Sequence, residues 1–135
     1  MQTTKITQLQ SWGITVLRVV TGTLFLGSGV HDLFVEDVSQ LGSSLPISII
    51  VVGKLVEIVC GSALVIGLFT RWVSVLLTLI MLANIAIVHP PHGFVVEDTG
   101  FEYALLRLAA SVTLASAGPG KVALDNVLAG RRGLR

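Results

Sequence analysis

Hydrophobic residues fall in four long, nearly unbroken runs, over about residues 12–30, 46–69, 72–88 and 101–117. The runs are continuous and do not alternate, so strands are not predicted, and a lone hairpin would leave unpaired backbone in lipid. Each run is close to the roughly 20 residues that a helix needs to cross about 30 Å of hydrocarbon. Pro46 suits the first turn of the second run. Pro90 and Pro91 stop the third, and Gly118-Pro119-Gly120 ends the fourth. The pattern predicts an all-α membrane protein: one domain over residues 1–135, a bundle of four transmembrane helices followed by a basic, amphipathic tail at 121–135. That tail reads either as a short helix along the headgroups or as a frayed end.

Composition agrees. The chain is 53% hydrophobic and 13% charged, with mean hydropathy +0.86, whereas a soluble domain carries about a quarter charged residues. The net charge of +1 and the lack of a basic run interleaved with aromatics give no sign of nucleic-acid binding. The first run carries Arg18 and is followed by no small-x-small cleavage site, so it reads as a retained span and not a leader. Cys60 is the single cysteine, which leaves no disulfide or CxxC chemistry within the chain and reads as a packing residue.

Charge sets the orientation. Lys5, Arg71 and the tail residues Lys121, Arg131, Arg132 and Arg135 alternate with loops bearing Asp32, Glu36, Asp37, His92, Glu97 and Asp98. With four spans all the basic segments share one side, which predicts cytoplasmic N and C termini. Trp12 and Trp72 fall at that side as interfacial anchors.

Few ionisable residues lie inside the runs: Arg18, Lys54, Glu57 and Arg107. A charge at mid-bilayer costs on the order of 3 kcal/mol or more, so each needs a partner or water. Gly53 and Gly61 flank Glu57 at i−4 and i+4, Gly22 follows Arg18 at i+4, and Ser111 and Ala115 follow Arg107 at i+4 and i+8. Small residues mark the face where another helix comes close, so these charges point into the bundle. Counting a rise of about 1.5 Å per residue from the span ends puts Arg18 and Glu57 at similar depth and predicts an ion pair between them. Such a pair either fixes helix register or serves a site. Lys54 either joins the core or snorkels to the interface. Arg107 leaves positive charge in excess; Glu102, about one turn away, would neutralise part of it, or an anion or polar ligand oxygen would fit there.

His31, His89 and His92 gather at the opposite, outer face in this topology. The plain reading is interfacial histidines at helix ends. A metal, a quinone carbonyl or a haem held by His31 and His89 are alternatives, but no HxxxH spacing supports them.

Several segments resemble the DoxX family of small membrane proteins. They are Leu17-Arg18 through Gly22 and Phe25 to Gly29; Lys54-Leu55-Val56-Glu57 through Gly61 to Gly67-Leu68-Phe69-Thr70-Arg71; and His89 through Gly93-Phe94. Gly100-Phe101-Glu102-Tyr103-Ala104-Leu105 and Gly118-Pro119-Gly120 through Leu124-Asp125 extend the likeness toward the end of the chain. One departure stands out: in Gly29-Val30-His31-Asp32-Leu33 an Asp lies near where the family commonly has Lys. The resemblance implies a four-helix bundle in the inner membrane of a prokaryote. For some relatives it implies thiosulfate:quinone oxidoreduction, and for others membership of membrane complexes that handle oxidative stress.

Two functions are therefore expected. In the first, the chain is a quinone-linked redox subunit. Glu57, Arg107 and Glu102 are then the chemical groups, and Lys54, His89, His31 and Arg18 hold the quinone; a positive pocket would favour its reduced, anionic form. No metal site and no haem, flavin or nucleotide motif accompanies them, so electrons come from a partner or a small donor. In the second, the chain is a non-catalytic anchor in a larger membrane assembly. Either way its partners are the bilayer and other subunits or further copies of itself. A small transporter ranks below both, since no inverted repeat or broken span is evident.

Overall fold

The computed structural model describes residues 2–34, 46–88 and 102–132. Among these residues the regular secondary structure is all helical: α1 (Gln2–Phe34), α2 (Ile47–Ile66), α3 (Thr70–Val88), α4 (Glu102–Ala117) and α5 (Leu124–Arg132). α1 packs mainly on α2 and α3 on α4, with α2–α3 and α1–α4 contacts closing the ring. Two helices are long and apolar enough to cross a membrane, Thr7–Phe34 and Ile47–Ile66; Thr70–Ala86 is a shorter apolar helix.

α1 is longer than its apolar run. Its 33 residues begin at Gln2 instead of near Trp12, because nothing between Gln2 and Ser11 breaks a helix. α2 stops at Ile66, three residues before its apolar run ends, where Gly67 takes φ 78° and its N–H reaches the carbonyls of Ala63 and Leu64. A glycine supplies that left-handed cap without steric cost.

The buried positions form narrow seams. On α1 they include Thr15, Arg18, Gly22, Phe25 and Gly29; on α2, Glu57, Cys60, Gly61 and Leu64; on α3, Thr70, Ser74, Leu77 and Met81; on α4, Ala104, Arg107, Ser111 and Leu114. Steps of three and four residues are what two helices need to stay in register along their length. The apolar centre is Phe25, Cys60, Leu64, Leu77, Met81 and Leu114. Gly22 and Gly61 bring α1 and α2 together: a methyl on Gly61 would stand 2.7 Å from the backbone N of Leu26 and 2.8 Å from the carbonyl of Gly22. Gly53, by contrast, has nothing within 4 Å of such a methyl, so it is not part of that contact.

The polarity of the fold is inverted relative to a water-soluble domain. Arg18, Glu57, Ser74, Arg107 and Ser111 are buried, while Val16, Val20, Val52, Leu55, Val59, Leu79, Leu82 and Leu106 are exposed. Apolar surface on every side of a bundle is untenable in water and is expected in hydrocarbon. This is a membrane protein.

Candidate functional site

Two polar clusters occupy opposite ends of the bundle, and a buried arginine is central to each.

The first lies between α1, α2 and α4. Glu57 presents from the α2 seam with its side chain 2% exposed. Its Oε2 is 3.4 Å from Lys54 Nζ, one turn earlier, and 3.9 Å from Arg107 Nη2 across on α4. Lys54 Nζ also lies 2.8 Å from Asp32 Oδ2, in the last turn of α1. Arg107 Nη2 donates to Ser28 Oγ at 2.8 Å. The guanidinium stacks over the Phe25 ring at 4.0 Å to the centroid and stands 5.5 Å from that of Tyr103. A desolvated cation over a ring gains about 2 kcal/mol. Arg107 Nε is buried and has no hydrogen-bond partner. Side-chain exposure rises outward from Glu57 through Lys54 at 13% and Asp32 at 19% to His31 at 56%, whose Nδ1 is 3.7 Å from Asp32 Oδ1.

The second cluster ties the tail to the bundle. Arg18 donates through Nη1 to the carbonyl of Pro119 and through Nη2 to that of Val122, both at 2.6 Å. Thr15 Oγ1 accepts from the Lys121 N–H at 2.9 Å. Asp125 accepts from the backbone N–H of Phe69 at 2.7 Å and of Thr70 at 2.9 Å. A carboxylate there satisfies orphan donors at the start of α3 and opposes the positive end of its dipole. It also steadies Phe69, a non-glycine residue at φ 49°. The Asp125 N–H in turn donates to the carbonyl of Gly67 at 3.0 Å.

This geometry corrects the expected Arg18–Glu57 pair. α1 and α2 run antiparallel with Gly22 against Gly61 and Gly29 against Lys54 and Ile58. In that register Arg18 lies level with Gly67, and Glu57 lies level with Ser28. The two are separated by about ten residues of helix, roughly 15 Å, beyond what an arginine can span. Arg18 therefore leaves the set of residues near Glu57 and joins the tail.

Two further expectations change, those for Glu102 and for the excess charge, and the open choice for Lys54 is decided. Glu102 is exposed in the first turn of α4 and does not pair with Arg107. Five helical positions rotate it by about 140° from Arg107. Lys54 does not snorkel; two carboxylates hold it. The cluster carries no excess positive charge, since Asp32 and Glu57 balance Lys54 and Arg107. The inward direction of Glu57, Arg107 and Arg18 holds as expected, and so does the burial of Cys60. His89 and His92 lie outside the described residues, so the three-histidine grouping is not seen. Among the described residues no three His, Cys, Asp or Glu side chains gather as a metal site would require.

Asp32 is the site residue that sequence reading missed. The apolar run ends near Val30, which makes Asp32 look like a loop acid, but α1 continues to Phe34 and carries Asp32 toward α2.

No curated protein and no solved structure matches the chain. The family model for DoxX matches residues 13–90, from α1 to just past the end of α3. Both glycines of the α1–α2 contact and the Glu57–Lys54–Asp32 group fall inside that match, while Arg107 and Asp125 fall beyond it. With more than half its length matched, the chain belongs to the DoxX family.

Proposed function

We propose that this chain is a four-span protein of a prokaryotic inner membrane, with both termini cytoplasmic, that binds a quinone headgroup at the Arg107–Glu57–Lys54–Asp32 cluster as part of a redox assembly. The observation that carries this reading is that Arg107, whose Nε is buried without a partner as that of Arg18 is, stacks on aromatic rings within a charge-balanced cluster, which Arg18 does not. A quinone headgroup is planar and apolar at its ring, with oxygens that accept hydrogen bonds. Arg107 and Lys54 supply donors of that kind, and Tyr103, half exposed on α4, gives the ring a neighbour on the lipid side. A neutral cluster suits an uncharged quinone better than a positive one would.

Reduction takes up two electrons and two protons. The electrons come from a donor subunit or a reduced-sulfur anion; two thiosulfates joined through a new S–S bond release two. In this reading both protons would come from water at the outer end and Glu57 would relay them one at a time; while it is protonated the cluster would carry net positive charge, which favours electron transfer to the ring. Lys121 and Arg71 sit beside Trp12 and Gly118 at one end, and Asp32 and His31 at the other, which supports the orientation.

A non-catalytic anchor is the second reading. Complete charge pairing across three helices favours it, because such a network fixes register by itself. Quinone-linked oxidation in membranes containing Arg107→Ala or Glu57→Gln separates the two. Loss of turnover in variants that still insert is the expected result. Unchanged kinetics in both would leave only the anchor.

A further inference from the structure

The tail helix carries an apolar face that the bundle does not use. Asp125 and Ala123 turn toward the α2–α3 turn: Asp125 bonds Gly67, Phe69 and Thr70, and Ala123 is buried against Gly67. Asn126 Nδ2 is spent on the carbonyls of Gly120 and Lys121. Leu124, Val127 and Leu128 share another face, with Val122 just before the helix, and all four are exposed. On a helical wheel the centre of that face lies about 110° from Asp125. Because Asp125 points at the α2–α3 turn, the apolar face lies to the side of that contact and the bundle leaves it uncovered.

Charge indicates what covers it. From Gly118 to the end the chain has four basic residues, Lys121, Arg131, Arg132 and Arg135, and one acid, Asp125. That acid is already engaged at the start of α3. Arg71 adds a further exposed cation beside Gly118. Trp12, Trp72 and Phe69 are exposed at the same end, and the ammonium of Lys121 stands 5.3 Å over the Trp12 ring. Indoles with basic side chains mark the headgroup level. An uncovered apolar face at that level, with Lys121 and Arg71 exposed at the same end and further arginines following in the sequence, matches lipid with anionic headgroups.

We propose that α5 is a membrane-surface helix that lays Leu124, Val127 and Leu128 into an anionic phospholipid leaflet, held at a fixed angle by the Arg18 and Asp125 contacts. The anchor differs from a free amphipathic tail. Folding of the bundle presents the helix already aligned, so little ordering entropy opposes docking. The inference is independent of any quinone.

The test uses the full chain in nanodiscs, with Cys60→Ala removing the single native thiol. An environment-sensitive fluorophore on Leu128→Cys is compared with one on Ala129→Cys, an exposed position about 150° around the helix from the centre of the apolar face. At position 128 the emission shifts to the blue and is quenched at least twofold by a nitroxide carried at the lipid headgroup. At 129 it remains water-like. On the unlabelled wild-type chain, amide exchange over residues 124–132 slows about tenfold when phosphatidylglycerol replaces phosphatidylcholine, and Arg131→Gln with Arg132→Gln removes most of that difference. Water-like emission at 128 overturns the proposal. So does blue emission that no lipid nitroxide quenches, which would put a second copy or another protein on this face. So does exchange that is indifferent to lipid charge, a readout that stands whether or not the labelled variants fold.

Discussion

Arg18 and Arg107 are both buried in the same bundle, and the protein satisfies them in different ways. Arg18 is answered by two backbone carbonyls of the tail, at 2.6 Å each, which have no proton to exchange and no charge to lose. Arg107 is answered by a carboxylate at 3.9 Å, a serine hydroxyl at 2.8 Å and an aromatic face; the Nε of each arginine is buried without a partner, so the contrast lies in the partners alone. The first arrangement works as a strap: it closes the α2–α3 turn, the loop after α4 and the middle of α1 into one unit. The second is the proposed site: its partners are side chains, which a ligand can displace, and its Nε–H can donate to a ligand oxygen. A buried charge in a membrane protein therefore does not announce a function by itself; the nature of its partners decides.

Mutations can break or sharpen this contrast, and the largest effect is expected at the carboxylate. Glu57→Leu leaves Lys54 and Arg107 facing Asp32 alone and costs about 3–5 kcal/mol, read as a drop in unfolding midpoint in detergent. The Glu57→Leu/Arg107→Leu pair should recover much of that loss, because uncompensated charge and not lost attraction dominates the single mutant. Arg18→Met comes next, at about 2 kcal/mol, since two carbonyls lose a charged donor. Its signature is local: amide exchange accelerates in residues 118–132 while α2 near Glu57 stays protected. Asp125→Ala costs about 1 kcal/mol, the usual worth of a helix cap, and proteolysis at the α2–α3 turn would reveal it. Lys121→Gln removes only a partly exposed cation–π contact and shifts stability by about 0.5 kcal/mol, at the edge of what a thermal melt resolves.

The hydrophobic runs and the small residues at steps of four were enough to find the helices and to aim Glu57, Arg107 and Arg18 inward. Levels were harder. The ends of the apolar runs are a poor gauge of depth because α1 extends past both ends of its run, and they match Arg18 with the wrong neighbour. The Gly22–Gly61 contact sets the true register, and a glycine on each helix does not say which glycine it meets. Arg18 carries a second lesson. Its partners are main-chain oxygens, which every residue has, so no side chain marks them in a sequence. Asp125 caps a helix more than fifty positions away, where a local capping pattern has no reach. Asp32 had a visible sign in its departure from the family's usual residue, and pairing with Lys54 accounts for what it does here.

Quinone retained by the purified protein tests the central claim most directly. Wild type, Arg107→Leu and Arg18→Leu would be isolated from the same membranes, and bound quinone per chain measured by mass spectrometry. Wild type and Arg18→Leu should hold comparable amounts, while Arg107→Leu, still folded, should hold at least tenfold less. Equal retention by both variants, or loss from Arg18→Leu alone, would contradict the assignment of site and strap.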